Sequence, residues 1–247
     1  MPDTLTLTAP DGADFRVYVA RPASDPRGAI VLIHEIWGLV PHIEDVADRL
    51  AGLGYLVAAP DILSHAGVAP ALGSELFRLT QHPDEAVRTA AQPRMRDALT
   101  EAHAPAYAEW ATGALSAVVD WVAAQPGVDG RIAAMGFCFG GTYAFLLAAG
   151  DTRIRAAIPF YGGAPTPERI AGIRAPILAL YGAHDPRLME ALPAVKEEMA
   201  AAGVDFDAVV YPDAGHAFFN DAGSRYDEAA AADAWVRVQE FLAARLS

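Results

Sequence analysis

Short apolar runs alternate with stretches of helical periodicity along almost the whole chain, and that alternation leaves few folds open. Residues 28–33 (Gly-Ala-Ile-Val-Leu-Ile) form a β-branched run with no polar face, as a strand covered on both sides requires. Residues 55–59, 131–135, 156–160, 176–181 and 208–211 read as further strands. Between them, Ile43, Val46, Ala47 and Leu50 recur at helical spacing behind Pro41 and ahead of Gly52 and Gly54. Residues 106–124, 141–149, 187–202 and 227–246 are also helical in period. Strands that alternate with helices pair in parallel, and their right-handed crossovers leave helices on both faces of the sheet. The expected class is therefore α/β. The first two runs, 4–8 and 15–19, instead alternate apolar with polar around Asp11-Gly12, which predicts an antiparallel hairpin at the sheet edge.

One stretch departs from this rhythm. Residues 64–103 hold Pro70, Pro83, Pro93 and several arginines between short polar segments, and are expected to form an excursion of short helices (about 64–104) over the sheet. No repeat or linker divides the chain, so a single domain over residues 1–247 is expected, and 53% hydrophobic content supports a substantial core. With 31 acidic against 18 basic side chains, the net charge of −13 repels nucleic acid and anionic membrane, so neither is an expected partner. A lone cysteine excludes a disulfide scaffold. Residues 132–150 carry no charge, yet Gly136, Gly140, Gly141 and Gly150 fit a buried strand, a tight turn and a buried helix better than a membrane span. The start of the chain lacks the pattern of a secretory signal, and a cytoplasmic location is expected.

The chemistry-bearing motifs fall at the predicted strand ends. Gly136-Phe137-Cys138-Phe139-Gly140-Gly141 lies between a strand and a helix and has the Gly-x-nucleophile-x-Gly form of a nucleophile elbow, with cysteine at its centre. A strand turning directly into a helix forces the central residue into a strained conformation, and side chains two positions away would collide. The helix start should favour the thiolate. In chain order an acid and then a histidine should follow. Asp185 follows the strand at 176–181, and His216 follows the last strand. All three lie at carboxyl ends of a parallel sheet, the edge at which ligands bind. Each has a plainer reading as well. Cys138 could be a packing residue, Asp185 before Pro186 a helix cap, and Asp213 competes for the acid role. His42, His65, His82, His103 and His184 read as surface histidines. His34-Glu35-Ile36-Trp37-Gly38 lacks the second histidine of a zinc protease, since Gly38 stands in its place. Its strand-end position suits one oxyanion amide, with the other from Phe139 and Glu35 pointing into the site.

Taken together, these features resemble the dienelactone hydrolase family of α/β-hydrolases. The match rests on His34-Glu35-Ile36-Trp37-Gly38, Pro60-Asp61, the elbow at Cys138, Asp185, and Gly215-His216 with its Phe218-Phe219-Asn220-Asp221 tail. The resemblance implies Cys138 as nucleophile, His216 as base then acid, Asp185 as its orienter, and Glu35 as the group that holds and activates the thiol. It implies an oxyanion hole from the amides of Ile36 and Phe139, a substrate wall including Trp37 and Phe218, and neither cofactor nor metal. The expected partner is a small-molecule ester or lactone substrate, and the expected state a monomer or homodimer. Family members that act on dienelactone clamp its carboxylate with two arginines. Counting back from the elbow without gaps puts the first at Arg96; the second position holds Asn220, a loss that should weaken an anionic ligand by roughly 1.5–3 kcal/mol.

A cysteine nucleophile restricts the substrate on chemical grounds alone. A thiolate is easily expelled from a tetrahedral intermediate, so cleavage needs a leaving group at least as willing to depart, such as an enolate. The expectation is a hydrolase of small activated esters or enol lactones that works through an acyl-enzyme. The alternatives are an esterase or thioesterase on neutral substrates, and a non-catalytic redox sensor in which Cys138 is oxidised.

Overall fold

A computed structural model describes residues 3–247 and shows an eight-stranded sheet in the order β1-β2-β4-β3-β5-β6-β7-β8. β1 (Asp3–Thr8) and β2 (Asp14–Ala20) form the antiparallel edge hairpin, and β2 pairs antiparallel with β4 (Leu56–Pro60). From β4 onward every pairing is parallel, through β3 (Ala29–Ile33), β5 (Ile132–Phe137), β6 (Ile154–Phe160), β7 (Ile177–Gly182) and β8 (Phe206–Tyr211). β3, β4 and β5 are buried at every position, as their unalternated apolar sequences require.

Helices cover both faces. α1 (Pro41–Gly52) lies on β2 and β4 and meets the closing helix α8 (Glu228–Arg245) where the Arg49 guanidinium sits 4.2 Å over the Trp235 ring. The excursion consists of a 3-10 turn (Leu63–Ala66), α2 (Pro70–Thr80), α3 (Glu85–Ala98) and a second 3-10 turn (Glu101–His103). α3 runs through Pro93, which has no backbone N–H to donate within the helix. α4 (Pro105–Ala123) and α5 (Phe139–Gly150) pack against each other and against the centre of the sheet. α6 (Pro167–Ile170) is a single turn absent from the sequence expectations, and α7 (Pro186–Ala201) leads into β8. The uncharged segment 132–150 is β5 plus α5, and no helix among the described residues is long and apolar enough to cross a membrane.

The strand order places the functional edge. After β3 the chain goes to β4 on one side and then returns to β5 on the other, so a crevice opens at the carboxyl ends of β3 and β5. The His34–Gly38 loop leaves β3 there and the elbow leaves β5 beside it. One expectation fails at this edge: His42 is buried, at 7% exposure, rather than a surface histidine.

Candidate active site

The elbow is tight because its neighbours leave no room for side chains. A Cβ on Gly136 would lie 2.1 Å from the Gly140 carbonyl oxygen, and one on Gly140 would lie 2.2 Å from that of Ile33. With those contacts bare, β5 enters α5 through a single residue, Cys138, at φ 55° and ψ −111°. A non-glycine residue there is strained, and its amide is anchored by donating to Phe160 O at 2.9 Å.

The three separated motifs converge on that residue. His216 Nε2 lies 3.0 Å from Cys138 Sγ, and His216 Nδ1 lies 2.6 Å from Asp185 Oδ2. The carboxylate can only accept, so Nδ1 carries the proton and Nε2 is free to receive one from the thiol. Asp185 also caps α7, its Oδ1 accepting from the Leu188 amide at 3.4 Å, so both sequence readings of this residue hold at once. Asp213, the competing acid, is exposed, and the imidazole pairs with Asp185 instead.

Glu35 is 1% exposed and held by two donors. The Asn220 amide donates to its Oε2 at 2.6 Å and the Tyr161 hydroxyl to its Oε1 at 3.4 Å. Burial pushes its carboxyl up to about 7, with those two hydrogen bonds pulling the other way. The Cys138 thiol is pushed up to about 12, first by burial and then by the Glu35 charge, while the Phe139 amide and Arg187 oppose the rise. Burial and the Glu35 charge therefore work against the expectation that the helix start favours a thiolate. The dipole acts over a turn of helix, but here desolvation outweighs it.

The Phe139 amide faces the sulfur from the first position of α5, where no intrahelical partner exists. The Ile36 amide makes no hydrogen bond among the described residues. Its loop is fixed by a residue that the sequence motif contains but to which sequence reasoning gave no role. His34 is fully buried, donates from Nδ1 to the Glu35 carbonyl at 2.7 Å and accepts the Ile62 amide at Nε2 at 3.3 Å. Burial lowers its pKa, which keeps the ring neutral and able to play both parts.

Above the sulfur lies a cavity of about 610 Å³, bounded by the His34–Gly38 loop, the excursion and the loop after His216. Trp37 lines it, with its ring 5.6 Å from that of Phe77 on α2, and so do Ile36 and Asn220. Two expected residues do not reach it. Arg96, at the end of α3, is 77% exposed and pairs with Asp97, because a count without gaps ignores how the helix is rolled. Phe218 is fully buried among Tyr211, Tyr161 and Phe160, the tight turn after His216 having sent it into the core.

Different cations take the place assigned to Arg96. Arg88 and Arg225 line the cavity, and Glu35 is the only acid that does so among the described residues. Arg88 donates to the carbonyls of His82 and Pro83, and the Arg225 side chain has no partner among the described residues. Neither was singled out from the sequence. The excursion is tied across the cavity by the Ser224 amide donating to Gln81 Oε1 at 2.8 Å. Tyr161, just past β6 and fully buried, was also missed; its place at a strand end beside Gly162-Gly163 was the available signal.

Known proteins resemble the chain over almost its whole length. Residues 15–246 match the family model described as the dienelactone hydrolase family. A Saccharolobus solfataricus protein provisionally assigned as a carboxymethylenebutenolidase is 34% identical over 252 residues, covering 94% of this chain and 95% of its own. Carboxymethylenebutenolidase 1 of Cupriavidus pinatubonensis is 27% identical, over 98% of this chain and 96% of its own. A crystal structure of a provisionally assigned dienelactone hydrolase from Klebsiella pneumoniae superposes with a TM-score of 0.80 at 28% identity, covering 98% of this chain and 99% of that one.

Proposed function

Because the chain belongs to the dienelactone hydrolase family and has the α/β-hydrolase fold, we propose that it hydrolyses small activated esters or enol lactones through an acyl-enzyme on Cys138. The observation that carries this reading is the unbroken line from Asp185 Oδ2 through the imidazole to the sulfur, at 2.6 and 3.0 Å.

In this reading the substrate carbonyl sits against the amides of Ile36 and Phe139. As Sγ attacks the carbonyl carbon, the thiol proton passes to His216 Nε2, and Asp185 stabilises the imidazolium. A resting thiol near 12 cannot attack without this transfer, so the base is indispensable. Glu35, whose charge bears on the sulfur, is the group that the family resemblance assigns to hold and activate the thiol when substrate arrives. The tetrahedral intermediate collapses by breaking the bond to the leaving oxygen, which departs as an enolate and takes the proton back from His216, leaving the imidazole neutral. A water deprotonated by His216 then attacks the thioester and releases the acid and the thiol. The unneutralised guanidinium groups of Arg88 and Arg225, in a chain of charge −13, favour substrates with an anionic group toward the cavity mouth.

Mass spectrometry after mixing with an aryl ester tests the reading. Wild-type protein should gain one acyl group on Cys138 and turn over; Cys138→Ala should do neither while melting at a similar temperature. Turnover retained by the alanine variant would overturn it.

A further inference from the structure

His42 is the second residue of α1 and is buried, with its ring against those of Phe137 and Phe219 at 6.0 and 6.5 Å. Its Nε2 has no partner among the described residues. Its Nδ1 lies 3.3 Å from Asp221 Oδ1 without the alignment of a formed hydrogen bond. A buried imidazole so poorly satisfied costs stability that a phenylalanine in the same aromatic nest would not. What it gains is the approach of Asp221, which follows Asn220 directly, and Asn220 is the residue whose amide holds Glu35 at 2.6 Å. The turn between them needs holding. Ala217 sits at φ 65°, a left-handed conformation for a residue with a side chain, and the Asn220 backbone N–H donates to the Ala217 carbonyl at 3.1 Å.

We propose that His42 is a positioning residue whose Nδ1, 3.3 Å from Asp221 Oδ1, offers a polar contact that fixes the 217–221 turn and keeps the Asn220 side-chain amide on the Glu35 carboxylate beside Cys138. The role rests on the reading of Cys138 as nucleophile only in its effect on turnover, because the geometry of the turn is independent of it. The charged groups facing His42 are Asp221 from the turn and Asp45 and Arg49 from its own helix. Glu35 meets Asn220, Tyr161 and Cys138. Losing the Asn220 donor removes one of the two hydrogen bonds that hold the Glu35 carboxyl down against burial, so its titration moves to higher pH.

The lone cysteine supplies a readout that does not require catalysis. The pH dependence of Cys138 alkylation by iodoacetamide and of aryl-ester kcat/KM is measured for wild type, His42→Phe, His42→Gln, Asp221→Asn and Asn220→Ala. Wild type should show an inflection near 7, the value to which Glu35 is raised. His42→Phe, Asp221→Asn and Asn220→Ala should move it upward and lower kcat by about 10- to 100-fold, with KM for a neutral ester within about twofold. His42→Gln, which retains a polar donor, should recover most of the loss. The double variant His42→Phe/Asn220→Ala should be no slower than Asn220→Ala alone. Asp221 is 57% exposed, so its variant keeps the test alive should His42→Phe fail to fold. An unmoved inflection in folded His42→Phe or Asp221→Asn, or losses that multiply in the double variant, would overturn the proposal. An inflection that moves in protein with no wild-type turnover would support the positioning role and sink the hydrolase reading instead.

Discussion

Replacing Glu35 by glutamine should make the protein more stable at pH 8 and nearly unchanged at pH 4.5. The carboxyl titrates at about 7 in the folded protein against 4.5 for an exposed glutamate, a difference of 7 − 4.5 = 2.5 units. At 1.36 kcal/mol per unit, ionising it in place costs about 3 kcal/mol. The sign follows from the raised value. The folded state binds this proton more tightly than the unfolded chain does, so the group's contribution is fully present below 4.5 and is lost as pH rises through 7. Glutamine has no proton to lose and escapes that penalty. The Cys138 thiol, near 12, stays neutral over the range and leaves the comparison clean. Urea unfolding of both proteins at pH 4.5 and pH 8, with unchanged m-values, gives the two differences directly. The gap should widen by about 3 kcal/mol between them in favour of the variant, which should also lose ester turnover. A gap independent of pH would refute the assignment of burial as the dominant influence on Glu35.

Two further outcomes follow from the cavity and the elbow. Removing Arg88 and Arg225 together should raise KM for a carboxylate-bearing aryl ester about tenfold or more while leaving a neutral ester unaffected, as steady-state kinetics on the pair would show. Gly140→Ala drives a Cβ to 2.2 and 2.5 Å from the carbonyl oxygens of Ile33 and His34. It should therefore cost more than about 4 kcal/mol by thermal or denaturant unfolding.

The parts of the molecule that were legible are those set by local sequence. β-branched runs such as Ile30-Val31-Leu32-Ile33 announce doubly covered strands, and the glycines around Cys138 announce a backbone that tolerates no neighbours. Asp185 and His216 could be found because strand ends bring distant positions to one edge. What failed depended on rotation and depth. Arg96 faces solvent while Arg88, two turns earlier on α3, faces the cavity, and no spacing rule tells which side of that helix is lidded. Phe218 and Asn220 stand two apart in one tight turn, yet the first enters the core and the second meets Glu35. The pull on the thiol was only half legible, because a helix terminus is visible in sequence, whereas the burial and the Glu35 charge that oppose it arise only in the folded chain.

Cys138, Tyr161 and Ala217 all have positive φ, at 55°, 37° and 65°; Cys138 and Ala217 line the cavity and Tyr161 holds Glu35 beside it. At about 1–3 kcal/mol apiece, such angles consume a sizeable share of the 5–15 kcal/mol that keeps an ordinary domain folded. Heat should thus loosen the catalytic edge before the far ends of the strands. Breeding a hardier version by relaxing these bends would trade away the alignment that they enforce. Toughness has to be added elsewhere, along the β1–β2 hairpin or the outer surface of the excursion, where no reacting atom feels the change.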